Sequence, residues 1–269
     1  MTKRLCAAWF TALCLAGLAP GAAAREQAAA VAAISGSEPQ HRREPFVERF
    51  QAPDLGPRWF ISHGWTAGEW SSTEWRNTQV ARSPFGAQIT MLPSEAGASQ
   101  PYIAGEISTP EEYLYGYFEA RLRVPHGGGL VGAFFTFTRP NGNETWNEID
   151  MEFTGRDTRR LELVYHVAGQ ATLEVAELPF DASEDFHTYA FEWRPDAIRW
   201  FIDNELVHTS RGGLVSGLNR PQRIFASLWN SERMPRWLGP IDRAEAPWVM
   251  DVVCIAYAPT YEGRSICID

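Results

Sequence analysis

From Phe46 onward, apolar and polar residues alternate in short runs punctuated by turn residues. In Tyr117–Val124 the apolar residues Phe118, Ala120, Leu122 and Val124 alternate with Glu119, Arg121 and Arg123. Successive side chains of a strand point to opposite faces, so this period of two predicts a half-buried β-strand. Gly132–Thr138 is almost wholly apolar or Thr, as a strand covered on both faces would be. Ile198–Ile202 and Leu206–Thr209 flank Asp203-Asn204-Glu205, which predicts a hairpin. Long helical patterns are absent. About a dozen such strands without helices predict an all-β fold, a two-sheet antiparallel β-sandwich.

One strand puts unusual chemistry on its polar face. In Trp146-Asn147-Glu148-Ile149-Asp150-Met151-Glu152-Phe153, the apolar Ile149, Met151 and Phe153 alternate with Glu148, Asp150 and Glu152. Three like charges on one strand face repel one another, so stability alone does not select the arrangement. It does suit hydrolysis of a glycosidic bond, where a retaining enzyme needs a nucleophile and a proton donor with carboxyl groups about 5–5.5 Å apart. Residues i and i+4 of a strand have Cα atoms about 13 Å apart, so Glu148 and Glu152 must lean together on a twisted sheet. Asp150 lies between them and can keep one carboxyl ionised and the other protonated. These three acids are the candidate catalytic residues.

Strand parity assigns further residues to the same face. In Leu161–Val167, the core set Leu161, Leu163, Tyr165 and Val167 turns Glu162, Val164 and His166 to the groove. In Ile224–Trp229, the core set Ile224, Ala226 and Leu228 leaves Phe225, Ser227 and Trp229 outward. An outward Trp is costly unless something packs on it, and sugar rings stack on indole faces. Trp229 is therefore expected to be a sugar platform, and His166 a candidate sugar contact.

The 269 residues suffice for one sizeable core, and no internal repeat or second domain is visible. Residues 1–24 read as a signal peptide: Lys3 and Arg4 precede the apolar run Leu5–Leu18, and Ala22-Ala23-Ala24 offers a cleavage site. The run is shorter than the roughly 20 apolar residues of a membrane span. Residues 25–44 read as a disordered lead-in, and 45–269 as the folded domain. Removing residues 1–24 takes away Lys3 and Arg4 and moves the formal charge from −9 to −11. That sign disfavours nucleic acid and anionic membranes and is compatible with a neutral or sparsely charged glycan. Cys254 and Cys267, the cysteines outside the signal peptide, are expected to bridge in an oxidising compartment and pin the C-terminal tail.

Glu-Ile-Asp-Met-Glu-Phe at 148–153 resembles the signature of glycoside hydrolase family 16 in the form without an inserted residue. Lichenases, bacterial exopolysaccharide glycanases and xyloglucan transglycosylases have that form. Gly105-Glu106-Ile107, Ser227-Leu228-Trp229 and Phe186–Trp193, followed by Arg199–Asp203, extend the resemblance over Phe46–Tyr257. It implies a concanavalin-like β-jelly roll with a substrate cleft on its concave sheet. It further implies Glu148 as nucleophile, Glu152 as acid/base, and Glu106 and Trp146 as substrate-binding residues beside His166 and Trp229. No cofactor is required by such chemistry. Asp251 resembles the aspartate of a structural calcium site in many relatives, a site that wants six to eight oxygens.

Departures limit the substrate. Ser108 stands where lichenases have Arg, Val164 and Ser227 where they have Asn, and His166 where they have Tyr. Thr66-Ala67-Gly68 lacks the Asn of their first cleft loop, and Thr73 and Ala104 stand where many relatives have a disulfide. The reading is a secreted, monomeric endo-β-glucanase or exopolysaccharide glycanase acting on 1,3-1,4-β-glucan or a succinoglycan-like polymer. A transglycosylase and a non-catalytic glycan-binding module stay open, although binding alone needs no such row of acids.

Overall fold

The computed structural model describes residues 43–52, 54–138 and 146–268. The expected signal peptide and nearly all of the expected lead-in lie outside them. In chain order the first strands are β1 (Phe46–Glu48), β2 (Phe60–Ile61), β3 (Thr73–Trp75), β4 (Val80–Arg82), β5 (Ala87–Pro93) and β6 (Tyr102–Ala104). Next come β7 (Glu106–Ser108), β8 (Gly116–Arg123), β9 (Leu130–Phe137), β10 (Asn147–Thr154), β11 (Arg160–Val167) and β12 (Gln170–Glu177). The last are β13 (His187–Trp193), β14 (Ala197–Ile202), β15 (Glu205–Arg211), β16 (Arg223–Asn230) and β17 (Trp248–Ala258). A four-residue helix, α1 (Pro235–Leu238), follows β16.

Seven strands form the sheet that carries the acids, in the order β12-β11-β10-β9-β16-β7-β2. Ten form the other, along β15-β14-β13-β8-β17-β5-β6-β3 with β1 on β17 and β4 on β5. The fold is a β-jelly roll, and the core lies between the sheets. Ile149, Met151 and Phe153 of β10 are fully buried there. Phe134 of β9 meets Phe191 of β13 at 5.9 Å between ring centroids, and Phe153 meets Tyr189 at 4.7 Å. Burial of such side chains stabilises the fold by about 1.5–3 kcal/mol each.

The predicted hairpin is present between β14 and β15. Asp203 (φ 47°) and Asn204 (φ 68°) occupy the left-handed region that a two-residue turn requires and that Asp and Asn tolerate. β9 departs from the expected cover on both faces: Phe134 and Thr136 are buried between the sheets, whereas Phe135 and Phe137 on the opposite face are only half-buried, because that face lines the open side of the seven-stranded sheet.

β8 differs from its simple alternation. Glu119, on its polar face, is fully buried. The C-terminal tail crosses that face, held by the Cys254–Cys267 disulfide. Ser265 Oγ donates to one Glu119 oxygen and the Ile266 amide to the other, at 2.7 Å. A period of two within one strand carries no information about a segment about 140 residues away, so parity left Glu119 in solvent.

Candidate active site

Side chains of directly paired residues in a sheet point to the same face, so register alone places the site. Glu148, Asp150 and Glu152 pair with Phe137, Phe135 and Ala133 of β9 and with His166, Val164 and Glu162 of β11. From β9 the same face continues through Phe225, Ser227 and Trp229 of β16 to Ser108 and Glu106 of β7. The structure thus gathers Glu148, Asp150, Glu152, Glu106, His166 and Trp229 on one face, with Trp146 at its margin.

The three acids differ in surroundings. Trp146 Nε1 donates to Glu148 Oε2 at 3.1 Å, which favours the carboxylate. Asp150 is 5% exposed. Burial first, then the charges of Glu148 and Glu152 and a hydrogen bond to Glu148, raise its pKa well above the usual range. All of these causes favour the protonated form of Asp150 over its carboxylate. Burial pushes Glu148 up to about 7, against the lowering effect of its bonds from Trp146 and Asp150. Glu152 has no such donor among the described residues. Burial and the charges of Glu148 and Glu162 push it up to about 8. The geometry favours ionisation of Glu148, which has a donor in Trp146, over Glu152, which has none among the described residues.

His166 Nε2 stands 3.7 Å from Asp150 Oδ2, and burial lowers its pKa, so the imidazole is neutral at neutral pH. Glu148, Asp150 and His166 bring ligand atoms within 4.8 Å of one another, a spacing a metal ion could use. Glu148 is already engaged there by the indole N–H of Trp146, which suits a nucleophile. Glu106 is buried and accepts a 2.5 Å hydrogen bond from Ser62 Oγ.

Trp229 faces the cleft as parity requires, yet it is only 8% exposed. Trp70 meets it edge-on at 4.9 Å and Trp237 lies at 5.9 Å. Its indole is packed inside an aromatic wall, and Trp70, 40% exposed, is the member that presents surface. Trp70 and Trp237 come from segments without strand periodicity, so no pattern marked them. Phe135 and Phe225 also line the face, stacked at 4.9 Å in the same transverse row as Asp150. Phe225 has the parity that marks it, whereas Phe135 sits in an apolar run whose two faces only register can tell apart.

Asp251 does not fit a calcium ion. Its carboxylate accepts from Arg123 Nη2 at 2.9 Å and from Gln88 Nε2 at 3.1 Å, so both oxygens have donors and a cation already stands beside it. A cavity of about 210 Å³, lined by Asn230, Ser231, Glu232 and Pro235 among others, contains none of the three acids.

Comparison with known proteins identifies the family and the fold. Residues 58–250 match the family model of glycosyl hydrolases family 16. The chain is 35% identical over 206 residues to a β-glucanase of Acetivibrio thermocellus, a match covering 74% of the chain and 60% of that protein. It is 33% identical over 195 residues to a β-glucanase of Bacillus amyloliquefaciens, covering 72% and 79%. A prokaryotic β-1,3-1,4-glucanase (lichenase) from a mouse hindgut metagenome superimposes with a TM-score of 0.75 at 29% identity, covering 81% of this chain and all of that one. The β-glucanase of Bacillus licheniformis gives a TM-score of 0.73 at 28% identity, covering 80% and 98%.

Proposed function

The chain belongs to glycosyl hydrolases family 16, and from that premise we propose that it is an exported endo-acting β-glucan hydrolase working by retaining double displacement. The observation that carries the mechanism is the unequal donation to two acids on one strand face. Glu148 accepts from Trp146 Nε1 at 3.1 Å, whereas Glu152 accepts from none of the described residues. One carboxylate is thus held ready to attack while the other keeps a proton to give.

In the first step a Glu148 oxygen bonds to the anomeric carbon as the glycosidic C–O bond breaks, and the Glu152 proton goes to the departing oxygen. In the second, Glu152 takes a proton from water, the oxygen of that water bonds to the anomeric carbon, and Glu148 leaves as carboxylate. Asp150, whose protonated form is favoured, adds no charge to the site. Export is supported by Lys3-Arg4, the apolar run Leu5–Leu18 and Ala22-Ala23-Ala24. The likeness to a solved neighbour named a β-1,3-1,4-glucanase (lichenase) favours 1,3-1,4-β-glucan. Ser108 and Val164, which replace polar residues of lichenases, keep a succinoglycan-like substrate in contention.

Reducing-end release from barley β-glucan, xyloglucan and succinoglycan tests the reading, with NMR of the first-formed anomer testing retention. Inactivity on a broad panel would point to a glycan-binding module. Product chains lengthened by added oligosaccharide acceptors would point to a transglycosylase. In Glu148→Ala, azide should restore turnover and yield a glycosyl azide of inverted configuration, because the small anion takes the place of the missing carboxylate.

A further inference from the structure

Glu162 is not one of the three acids, yet it faces Glu152 directly across the β10–β11 pair. Its two oxygens accept from Trp237 Nε1 at 2.9 and 3.1 Å. Trp237 lies on α1, and Arg156 Nη1 fixes that helix by donating to the carbonyls of Arg236 and Trp237, each at 3.1 Å. The Trp237 ring also packs against Trp229. The Glu162 carboxylate is thus anchored from outside its own strand.

The nature of the anchor matters. A Lys or Arg in place of Trp237 would hold Glu162 equally well and cancel its charge. An indole N–H is neutral, so it positions the carboxylate and leaves the charge in force. Two arginines close to Glu162 in sequence have other partners. Arg160 pairs with Glu177 at 3.1 Å, and Arg156 serves the helix carbonyls. Along β10, Glu152 shares its face with Glu148 and Asp150. On β11 the titratable neighbours are Glu162 and the neutral His166. On the other side β9 offers Ala133, and beyond it lie Ser227 of β16 and Glu106 of β7, bonded to Ser62.

We propose that Glu162 is a positioning residue for the reaction, a fixed negative charge held by Trp237 that keeps the proton on Glu152 until the leaving oxygen takes it. The idea rests on Glu152 as the acid/base. It adds that part of the proton control comes from the neighbouring strand, where the charge of Glu162 acts in the same direction as burial and the charge of Glu148. A purely structural role, with Glu162 only tethering α1, would be filled by any acceptor oxygen.

The test is the pH dependence of kcat/KM for variants that separate charge from tethering. Glu162→Gln keeps an acceptor for Trp237 Nε1 and removes the charge. Its alkaline limb should move to lower pH by about half a unit to one unit, the effect of one partly screened charge at this range. Glu162→Asp keeps the charge, and its limb should stay near that of the parent. Trp237→Lys neutralises the charge without altering Glu162 and should shift the limb the same way as Glu162→Gln. It also decides the matter if Glu162→Gln folds poorly. An alkaline limb unmoved in both charge-removing variants, or moved equally in Glu162→Asp, would overturn the proposal. Glu152→Ala is measured alongside. If it keeps most of its activity, the acid/base assignment itself has failed. If it is inactive and the limb of Glu162→Gln has not moved, only the role of Glu162 has failed.

Discussion

Glu148 and Glu152 carry the same functional group, and the environment of each decides what it can do. Glu148 is pushed up to about 7 and Glu152 to about 8, so the ionised-nucleophile, protonated-acid form is most abundant between those values. Activity should therefore fall on the acid side as Glu148 takes up a proton and on the alkaline side as Glu152 loses one. A pH profile of kcat/KM on a soluble oligosaccharide reads both limbs. Stability carries the same signature. Both folded values lie above the unfolded value of about 4.3, so the favourable contribution is complete below about pH 4 and lost as pH rises through 7 and 8. Glu152→Gln, which cannot ionise, should melt several degrees above the parent at pH 9 and show a much smaller difference at pH 5. Glu148→Ala and Glu152→Ala should each lose at least about 10²–10⁴-fold in turnover with unchanged circular dichroism.

At the scale of elements, the aromatic wall and the β8–β17 pair each replace an expectation with a different physical role. Trp229 sits between Trp70 and Trp237, so Trp229→Ala should cost about 3–5 kcal/mol of stability in a denaturant titration. Trp70→Ala, at the exposed end of the wall, should instead weaken oligosaccharide binding by about 1–3 kcal/mol and leave the denaturation midpoint nearly unchanged. Between β8 and β17, Arg123 provides the positive charge next to Asp251. A chelator should leave the melting temperature where it is. Arg123→Ala should lower it by several degrees, because the Asp251 carboxylate is then buried without a cation.

At the scale of the molecule, the C-terminal tail closes the ten-stranded sheet on the side away from the acids. Cys254 and Cys267 are 13 residues apart, and closing a loop of that size contributes about 3 kcal/mol. Cys254→Ser/Cys267→Ser should melt about 6–12 °C lower than the parent in calorimetry. Tyr261 and Ile266 pack over Tyr117, Ala190 and Phe201, and Glu119 binds the tail backbone. Loss of the bridge should loosen this cover and leave turnover at the acid face within about twofold of the parent, since the described tail residues pack on the opposite sheet.

How much was legible depended on the range of the interaction. The alternation in residues 147–153 and 161–167 fixes which side chains share a face, because the period of two is a local property of the backbone. From it followed the all-β class, the row Glu148, Asp150 and Glu152, the groove assignment of His166 and Trp229, and the hairpin at Asp203-Asn204. Local pattern cannot say what lies over a face once it is formed. That Trp70 and Trp237 cover Trp229, that Arg123 neutralises Asp251, that the tail buries Glu119 and that Trp237 anchors Glu162 all depend on segments brought together by strand order and loop path. Such contacts join residues 75 to 159 positions apart in four of these five cases. Their energies belong to the assembled sheets, so only the tertiary structure decides them.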